Sequence, residues 1–464
     1  MKYISTRGNA PTLSFEEAML TGLARDGGLY VPETWPRMSS ADIAALAGLS
    51  FEEAAFKVMR PFIGTSFDET EFRRIIARAY AGFDHEARCP LVQIGENDFL
   101  LELHHGPTLA FKDVAMQLIG RMFDTVLKRR GERVTIIGAT SGDTGSAAIE
   151  AFRGLDCVDV FILFPEGRVS DVQRRQMTTP NDDNVHALAI GGDFDDCQAR
   201  LKDMFNDLAF RDGIRLAGVN SINWARVLAQ VVYYFTSAVA LGAPHRKIGF
   251  CVPTGNFGDI FAGYVARRMG LPIERLVIAT NQNDILHRTL GTGNYSKEGV
   301  RPSISPSMDI QVSSNFERAL FDVYDRDGAA VAQLMDELSK RGEFTLAQGA
   351  LDRLRSEFAS GKCTEEETSA AIAALYRMTG EVICPHTAVG IKVAADCRGA
   401  RDVPMITLAT AHAAKFPDAV EAACGVRPPL PPRLFDIMSK PERMTSVAND
   451  LTAIKAVVRQ RIRS

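Results

Sequence analysis

What this sequence lacks removes several classes of function at once. No apolar run is long enough to cross a bilayer, and the opening MKYISTRGNAP has no apolar core of a secretory leader. No dense basic tract appears. The 53 basic residues against 57 acidic ones give a net charge of -4, so nucleic acid is not an expected partner. The eight cysteines are scattered at 89, 157, 197, 251, 363, 384, 397 and 424 without a CxxC pair, which argues against a zinc site and against a disulfide framework. Internal repeats and low-complexity segments are absent as well. The expectation is a reduced, cytoplasmic protein with no membrane or nucleic-acid partner.

What is present is an ordinary globular composition, 46% hydrophobic and 24% charged, on a chain of 464 residues, too long for one core. Residues 1–90 read as a mostly helical unit. Ser14 is the expected N-cap of FEEAMLTGLA, with Glu17 closing a capping box. From residue 91 to 430, apolar runs alternate with helical patterns: LVQIG, FLLELHH, RVTIIG, VDVFILFP, VHALAIGG, RLAGVN, KIGFCVP, RLVIAT and MITLAT. Such alternation predicts a parallel sheet covered on both faces, the α/β class, in two subdomains. An insertion is expected at about 283–380, opening with long loops rich in Gly, Ser, Pro and Asn. Residues 431–464 read as a helical tail carrying DLTAIKAVVRQR.

Three stretches carry chemistry. Lys112 opens a helix whose apolar residues recur on one face from Val114 to Leu127. Partial desolvation there lowers a lysine pKa, and a neutral amine attacks aldehydes. A lysine in a first turn is ordinarily a surface residue; two glycine loops downstream change that reading. Gly138 to Gly145 and Pro253 to Gly258 each follow a strand and precede a helix, so each presents N–H groups to an anion. Thr140, Ser141 and Thr144 add hydroxyls to the first. It lacks the lysine of a nucleotide P-loop, and its spacing is not GxGxxG. In an open parallel sheet, ligands sit at the strands' carboxyl ends, where Gly138, Pro253 and Thr410 fall. His104 and His105, adjacent on a strand, should point to opposite faces and so read as packing or wall residues.

HHGPTLAFKD, GATSGDTGSAA, PTGNFGDIFAGY, CPHTAVG and ATAHAAKFPDAV occur in order, after YISTRG and FEEAMLTGLARDGGLYVP. Together they resemble the threonine synthase family over nearly the whole chain. The resemblance implies a fold-type II pyridoxal 5'-phosphate enzyme of the tryptophan-synthase-β kind. Residues 1–90 then form the family's N-terminal domain and 91–430 its catalytic region. The implied reaction converts O-phospho-L-homoserine and water to L-threonine and phosphate, as a lyase at the last step of threonine biosynthesis, in a monomer or homodimer. Lys112 would link the cofactor; Gly255, Asn256, Phe257 and Gly258 would hold its phosphate; Thr410 would face its pyridine nitrogen. Thr140, Ser141, Gly142, Asp143 and Thr144 would surround the substrate carboxylate. Arg168, Ser170, Asn223 and Arg226 are candidates for the substrate phosphate. Two positions depart from the family pattern. Ala413 stands where a proline is usual and Cys384 where an aspartate is usual. A phospho-lyase or threonine dehydratase-like enzyme of the same fold, giving 2-oxobutyrate, is the alternative.

Overall fold

The computed structural model describes residues 1–463. The fully apolar runs become the central strands of two sheets. In the five-stranded sheet the order is Thr445–Val447, Val185–Ile190, Val158–Pro165, Val134–Ala139, Leu216–Ala217, all parallel. Val158–Pro165 is buried at every position, as a strand covered on both faces requires. The six-stranded sheet runs Phe358–Lys362, Ile273–Thr280, Ile248–Pro253, Met405–Ala409, Asp98–Glu102, Leu91–Gln93. Its pairs are parallel except the last, where Leu91–Gln93 returns antiparallel along the edge.

Between the sheets run helices that are buried nearly all round. Lys112–Arg130 packs against Trp224–Ala240 and Asp143–Phe152, and most of its residues are buried. It ends on Gly131 in the left-handed conformation, with Lys128, Arg129 and Arg130 in its last turn complementing the dipole.

The first 80 residues add four helices: Phe15–Thr21, Ser40–Ala44, Phe51–Ile63 and Glu69–Tyr80. Ser14 and Glu17 form the reciprocal capping box. Residues Tyr3–Ser5 and Tyr30–Pro32 pair antiparallel. This unit shares the core of the rest. The Trp224 ring lies 6.0 Å from each of the Tyr3, Trp35 and Phe62 rings. Tyr80 donates its hydroxyl to the Val114 carbonyl at 3.1 Å, bracing the first turn of the Lys112 helix.

Three segments differ from their sequence reading. Ile285–Thr292 is helical inside the stretch read as loop. Ile285, Leu286 and Leu290 supply its buried face, and the Gly- and Asn-rich surroundings disguise that spacing. Phe358–Lys362, within the expected insertion, is an edge strand of the six-stranded sheet. The segment read as a helical tail also contributes the edge strand Thr445–Val447. Its helix, Leu451–Arg461, buries Ile454 and Val458 against Leu201 and Phe210.

Candidate active site

Lys112 reaches its place through a turn and a short ladder. After strand Asp98–Glu102 the chain turns at Gly106-Pro107. Asp113 holds that turn, accepting from the Thr108 N–H at 2.8 Å and the Thr108 hydroxyl at 2.7 Å. Residues Leu109 to Phe111 then run beside Thr410 to His412. The Phe111 N–H donates to the Thr410 carbonyl at 2.8 Å, and the His412 N–H to the Leu109 carbonyl at 3.0 Å. Thr410 directly follows strand Met405–Ala409, which pairs with Asp98–Glu102. The lysine and the threonine, nearly 300 residues apart in sequence, are therefore fixed by one piece of backbone pairing.

Both line a cavity of about 680 Å³ that opens between the carboxyl ends of the two sheets. Such a site, at strand ends and between helix N-termini, is where parallel-sheet folds bind ligands. Lys112 is buried. Desolvation lowers its pKa, and the cations of Lys415 and Arg226 act in the same direction against the opposing pull of Asp143. Its Nζ stands 3.5 Å from Asp143 Oδ2. Burial alone would raise the Asp143 carboxyl, but the Lys415 and Lys112 ammoniums hold it well below the usual carboxylate range. Lys415 Nζ is 2.7 Å from Asp143 Oδ1, and Gln173 Nε2 donates to the same oxygen at 2.8 Å.

The second glycine loop meets the cavity with its backbone. Strand Ile248–Pro253 leads through Thr254 to Asn256, and Phe257 enters helix Gly258–Arg268 from the left-handed region at φ 62. The Phe257 ring packs away among Phe316 and Phe358, leaving main chain toward the ligand side. The loop's carbonyls are already engaged. Gly255 O accepts from Ser313 Oγ at 2.6 Å, and Asn256 O from Asn315 Nδ2 at 2.9 Å. The N–H groups of Gly255 to Gly258, at the positive end of a helix, have no acceptor within the protein among the described residues and are free for an anion.

In the first loop, Ser141 and Thr144 line the cavity, and neither hydroxyl bonds within the protein among the described residues. Thr140 also borders it, but its Oγ1 accepts from the N–H groups of Gly142 and Gly145, both at 2.9 Å. Gly142 does not line the cavity. The Asp143 carboxylate, ionised and bound to Lys415, repels another carboxylate; only its backbone N–H suits one.

Three candidates for an anion are not brought to the site. Arg168 is exposed, and Ser170 caps helix Asp171–Thr178 with its hydroxyl on the Gln173 N–H. Asn223 is fully buried and committed elsewhere. Its Oδ1 caps helix Trp224–Ala240, and its Nδ2 donates to Met19 O at 2.7 Å and Gly218 O at 3.2 Å. Caps and anion contacts use the same residue types, so sequence did not separate them. Arg226, one turn on, does line the cavity. It is 4% exposed, has no carboxylate partner among the described residues, and burial pushes its pKa down to about 10.

Sequence reading passed over His386, Asp259 and Lys415. The imidazole of His386 lines the cavity and accepts from the Ser307 N–H at 3.1 Å; burial lowers its pKa to about 4, so it is neutral. Asp259, in the first turn after the second loop, accepts from Tyr233 and Tyr234, and burial raises its pKa to about 6. A cue existed for Lys415, a second lysine just past a strand's carboxyl end in the Thr410 motif. His104 and His105 lie past their strand, so strand alternation does not apply and their rings are 5.1 Å apart. At the two departures, the Ala413–Lys415 turn forms without proline, His412 Nδ1 accepting from the Ala414 N–H at 3.1 Å. Cys384 precedes helix Pro385–Asp396 without capping it; its Sγ lies 3.2 Å from Thr387 Oγ1.

Three family models match the chain: "Threonine synthase N terminus" over residues 2–80, "Pyridoxal-phosphate dependent enzyme" over 83–348, and "Threonine synthase, C-terminal" over 387–458. A threonine synthase of Pseudomonas aeruginosa is 54% identical over 99% of this chain and 98% of its own. The crystal structure of a PLP-bound threonine synthase from Brucella melitensis superposes with a TM-score of 0.97 at 58% identity, covering 100% of both chains. That of the yeast threonine synthase gives 0.93 at 39% identity, over 99% of this chain and 98% of the other.

Proposed function

The chain belongs to the threonine synthase family, and on that premise we propose that it converts O-phospho-L-homoserine and water to L-threonine and phosphate in the cavity between the two sheets. As a member it is a pyridoxal-phosphate-dependent lyase of fold-type II. The residues around the cavity fit that cofactor. Lys112 offers an amine depressed by burial. The helix opening at Gly258 offers N–H groups to a phosphate, and at Gly255 the absence of a Cβ lets the Ser307 main chain pack directly against the loop. When bound, the cofactor supplies an aldehyde for the amine and an electron sink that makes neighbouring C–H bonds acidic.

The chain's own groups divide the remaining work. Lys112 carries the cofactor, and as a free amine it takes the proton from the substrate's Cα. Its lowered pKa raises the fraction able to do so. Thr410 bonds nothing in the protein through its hydroxyl among the described residues, so that group is free for the ring nitrogen. A neutral hydroxyl does not impose a positive charge there, as a carboxylate would. Ser141 and Thr144, with the first N–H groups of helix Asp143–Phe152, take the substrate carboxylate. Arg226 takes its phosphate, because an ion-pair partner for this buried cation has to come from the ligand. Lys297 adds a second cation on the rim. Arg168, Ser170 and Asn223 have no part in this reading.

The observation that carries it is the meeting of Lys112, the Pro253–Gly258 loop and Thr410 on one cavity. The test is incubation with O-phospho-L-homoserine, following threonine, phosphate and 2-oxobutyrate together. Threonine and phosphate in equal amounts are expected. 2-Oxobutyrate as the main organic product would replace this reading with the phospho-lyase. The reading takes the enzyme as a cytoplasmic monomer or homodimer; no helix of the described residues is long and apolar enough to cross a membrane.

A further inference from the structure

Lys415 is a buried cation that the chemistry above leaves without a task. Its side chain is 0% exposed, and it does not line the cavity. Its Nζ donates to the Thr108 carbonyl at 2.7 Å and pairs with Asp143 Oδ1 at 2.7 Å. Enclosed in this way it has no route to a ligand, so it is not a second attachment point. An ammonium this deeply buried persists only when paired, so Lys415 and Asp143 are bound to each other's charge.

The distances around Asp143 are unequal. Oδ1 receives two short contacts, from Lys415 at 2.7 Å and Gln173 at 2.8 Å. Oδ2 faces Lys112 at 3.5 Å. A carboxylate left alone with one lysine closes to about 2.8 Å and keeps the amine charged. Here the carboxylate is drawn the other way. Two ammoniums share one carboxylate, and the second of them raises the cost of a charge on the first.

We propose that Lys415 is a positioning residue for Lys112: it pins Asp143 so that only Oδ2 faces the Lys112 nitrogen, at a loose distance, and its charge opposes protonation of that nitrogen, free or linked to the cofactor. The proposal rests on the reading that Lys112 carries the cofactor. The charged and titratable groups that act on Lys112 are Asp143, Lys415, Arg226, Asp259 and His386. Lys415 is the one that both adds positive charge and fixes the opposing carboxylate. Burial and the neighbouring cations together lower the Lys112 pKa, in keeping with this arrangement.

The experiment is a pH titration of the cofactor's visible absorption in the holoenzyme without substrate, comparing the parent with Lys415→Met and Asp143→Asn. Lys415→Met removes a cation, so the midpoint moves up by about one pH unit, and the acidic limb of threonine formation moves with it. Asp143→Asn removes an anion, so the midpoint moves down. The fold should tolerate Lys415→Met, because the Thr108 carbonyl keeps a donor in Gln176 Nε2 at 3.0 Å. A Lys415→Met holoenzyme with an intact band and an unmoved midpoint overturns the proposal and leaves Lys415 a purely structural residue. If Lys415→Met does not fold, Asp143→Asn decides alone, and a midpoint that stays or rises overturns the proposal. A parent protein with no visible band strikes instead at the assignment of the cofactor to Lys112.

Discussion

Gly138–Gly145 and Pro253–Gly258 both turn a buried parallel strand into a helix, yet they spend their polar groups in opposite ways. The first loop bonds to itself. Thr140 Oγ1 gathers the N–H groups of Gly142 and Gly145, and Asp143 is held by Lys415 and Gln173. What it leaves to a ligand is two hydroxyls and the start of a helix. The second loop is held from outside through its carbonyls, by Ser313 and Asn315, and keeps the N–H groups of Gly255 to Gly258. A cradle made of main chain suits a phosphate that never leaves. A frame carrying a fixed charge and free hydroxyls suits a substrate that comes and goes. Two loops with similar glycine spacing thus serve a resident and a transient anion.

Lys112 stands between the two, and removing it tests what they share. Lys112→Ala should lower threonine formation on the order of 10³-fold or more, since attachment of the cofactor and proton transfer both depend on the amine. Thermal unfolding of the apoprotein should change little. Turnover within tenfold of the parent would mean that the loops serve chemistry centred elsewhere.

The next effect separates the loops. A Cβ on Gly255 would lie 2.7 Å from the Ser307 carbonyl oxygen, a main-chain atom in a segment that His386 also holds. Gly255→Ala should weaken cofactor affinity by about 10- to 100-fold, the 1–3 kcal/mol typical of overpacking. Titration of the apoprotein with pyridoxal phosphate measures it. Unchanged affinity would move the phosphate to another part of the cavity.

Gly142→Ala should behave differently. Gly142 adopts φ 139, and its Cβ would lie 2.4 Å from the Gln173 side chain that holds Asp143. Strain and crowding should cost about 1–3 kcal/mol of stability and raise KM for O-phospho-L-homoserine, with cofactor affinity within about threefold. Denaturant unfolding and steady-state kinetics report the two effects. A cofactor loss as large as that of Gly255→Ala would erase the distinction between the loops.

Local patterns made much of this legible. Runs such as VDVFILFP and KIGFCVP announce strands buried on both faces, and the chemistry sits at their ends. FASGK and TSV do not announce themselves, because edge strands are short and carry glycine, serine or lysine. The site residues that escaped are those whose role is set by a distant partner. Asn223 reads as a ligand and is a cap tied to Met19. Lys415 escapes notice because its partner, Asp143, lies far back in sequence. Arg318 is wholly buried, donating to Tyr30 O and Ile222 O and holding Asn315 Oδ1. It thereby joins the N-terminal unit to the partner of the phosphate loop. No window of sequence around residue 318 contains those three acceptors.

The smallest expected effect lies within the second loop, where sequence treats Gly255 and Gly258 alike. A Cβ on Gly258 would lie 3.3 Å from Asn315 Nδ2, tight but not overlapping. Asn315 has little freedom to withdraw. Its Nδ2 donates to Ser221 O at 3.1 Å and Asn256 O at 2.9 Å, while Arg318 holds its Oδ1. A shift of a few tenths of an ångström still suffices, and alanine favours the helix over glycine by up to about 1 kcal/mol. The two terms oppose each other, so Gly258→Ala should leave stability within about 1 kcal/mol of the parent and cofactor affinity within about threefold. Side-by-side cofactor titrations of Gly255→Ala and Gly258→Ala make the comparison. If Gly258→Ala loses affinity as heavily as Gly255→Ala, the phosphate is packed against the Cα of residue 258 itself, and the cradle extends one residue into the helix. If neither loses affinity, the close packing of Ser307 on Gly255 has no bearing on the ligand, and the reading of this loop as the seat of a resident phosphate fails.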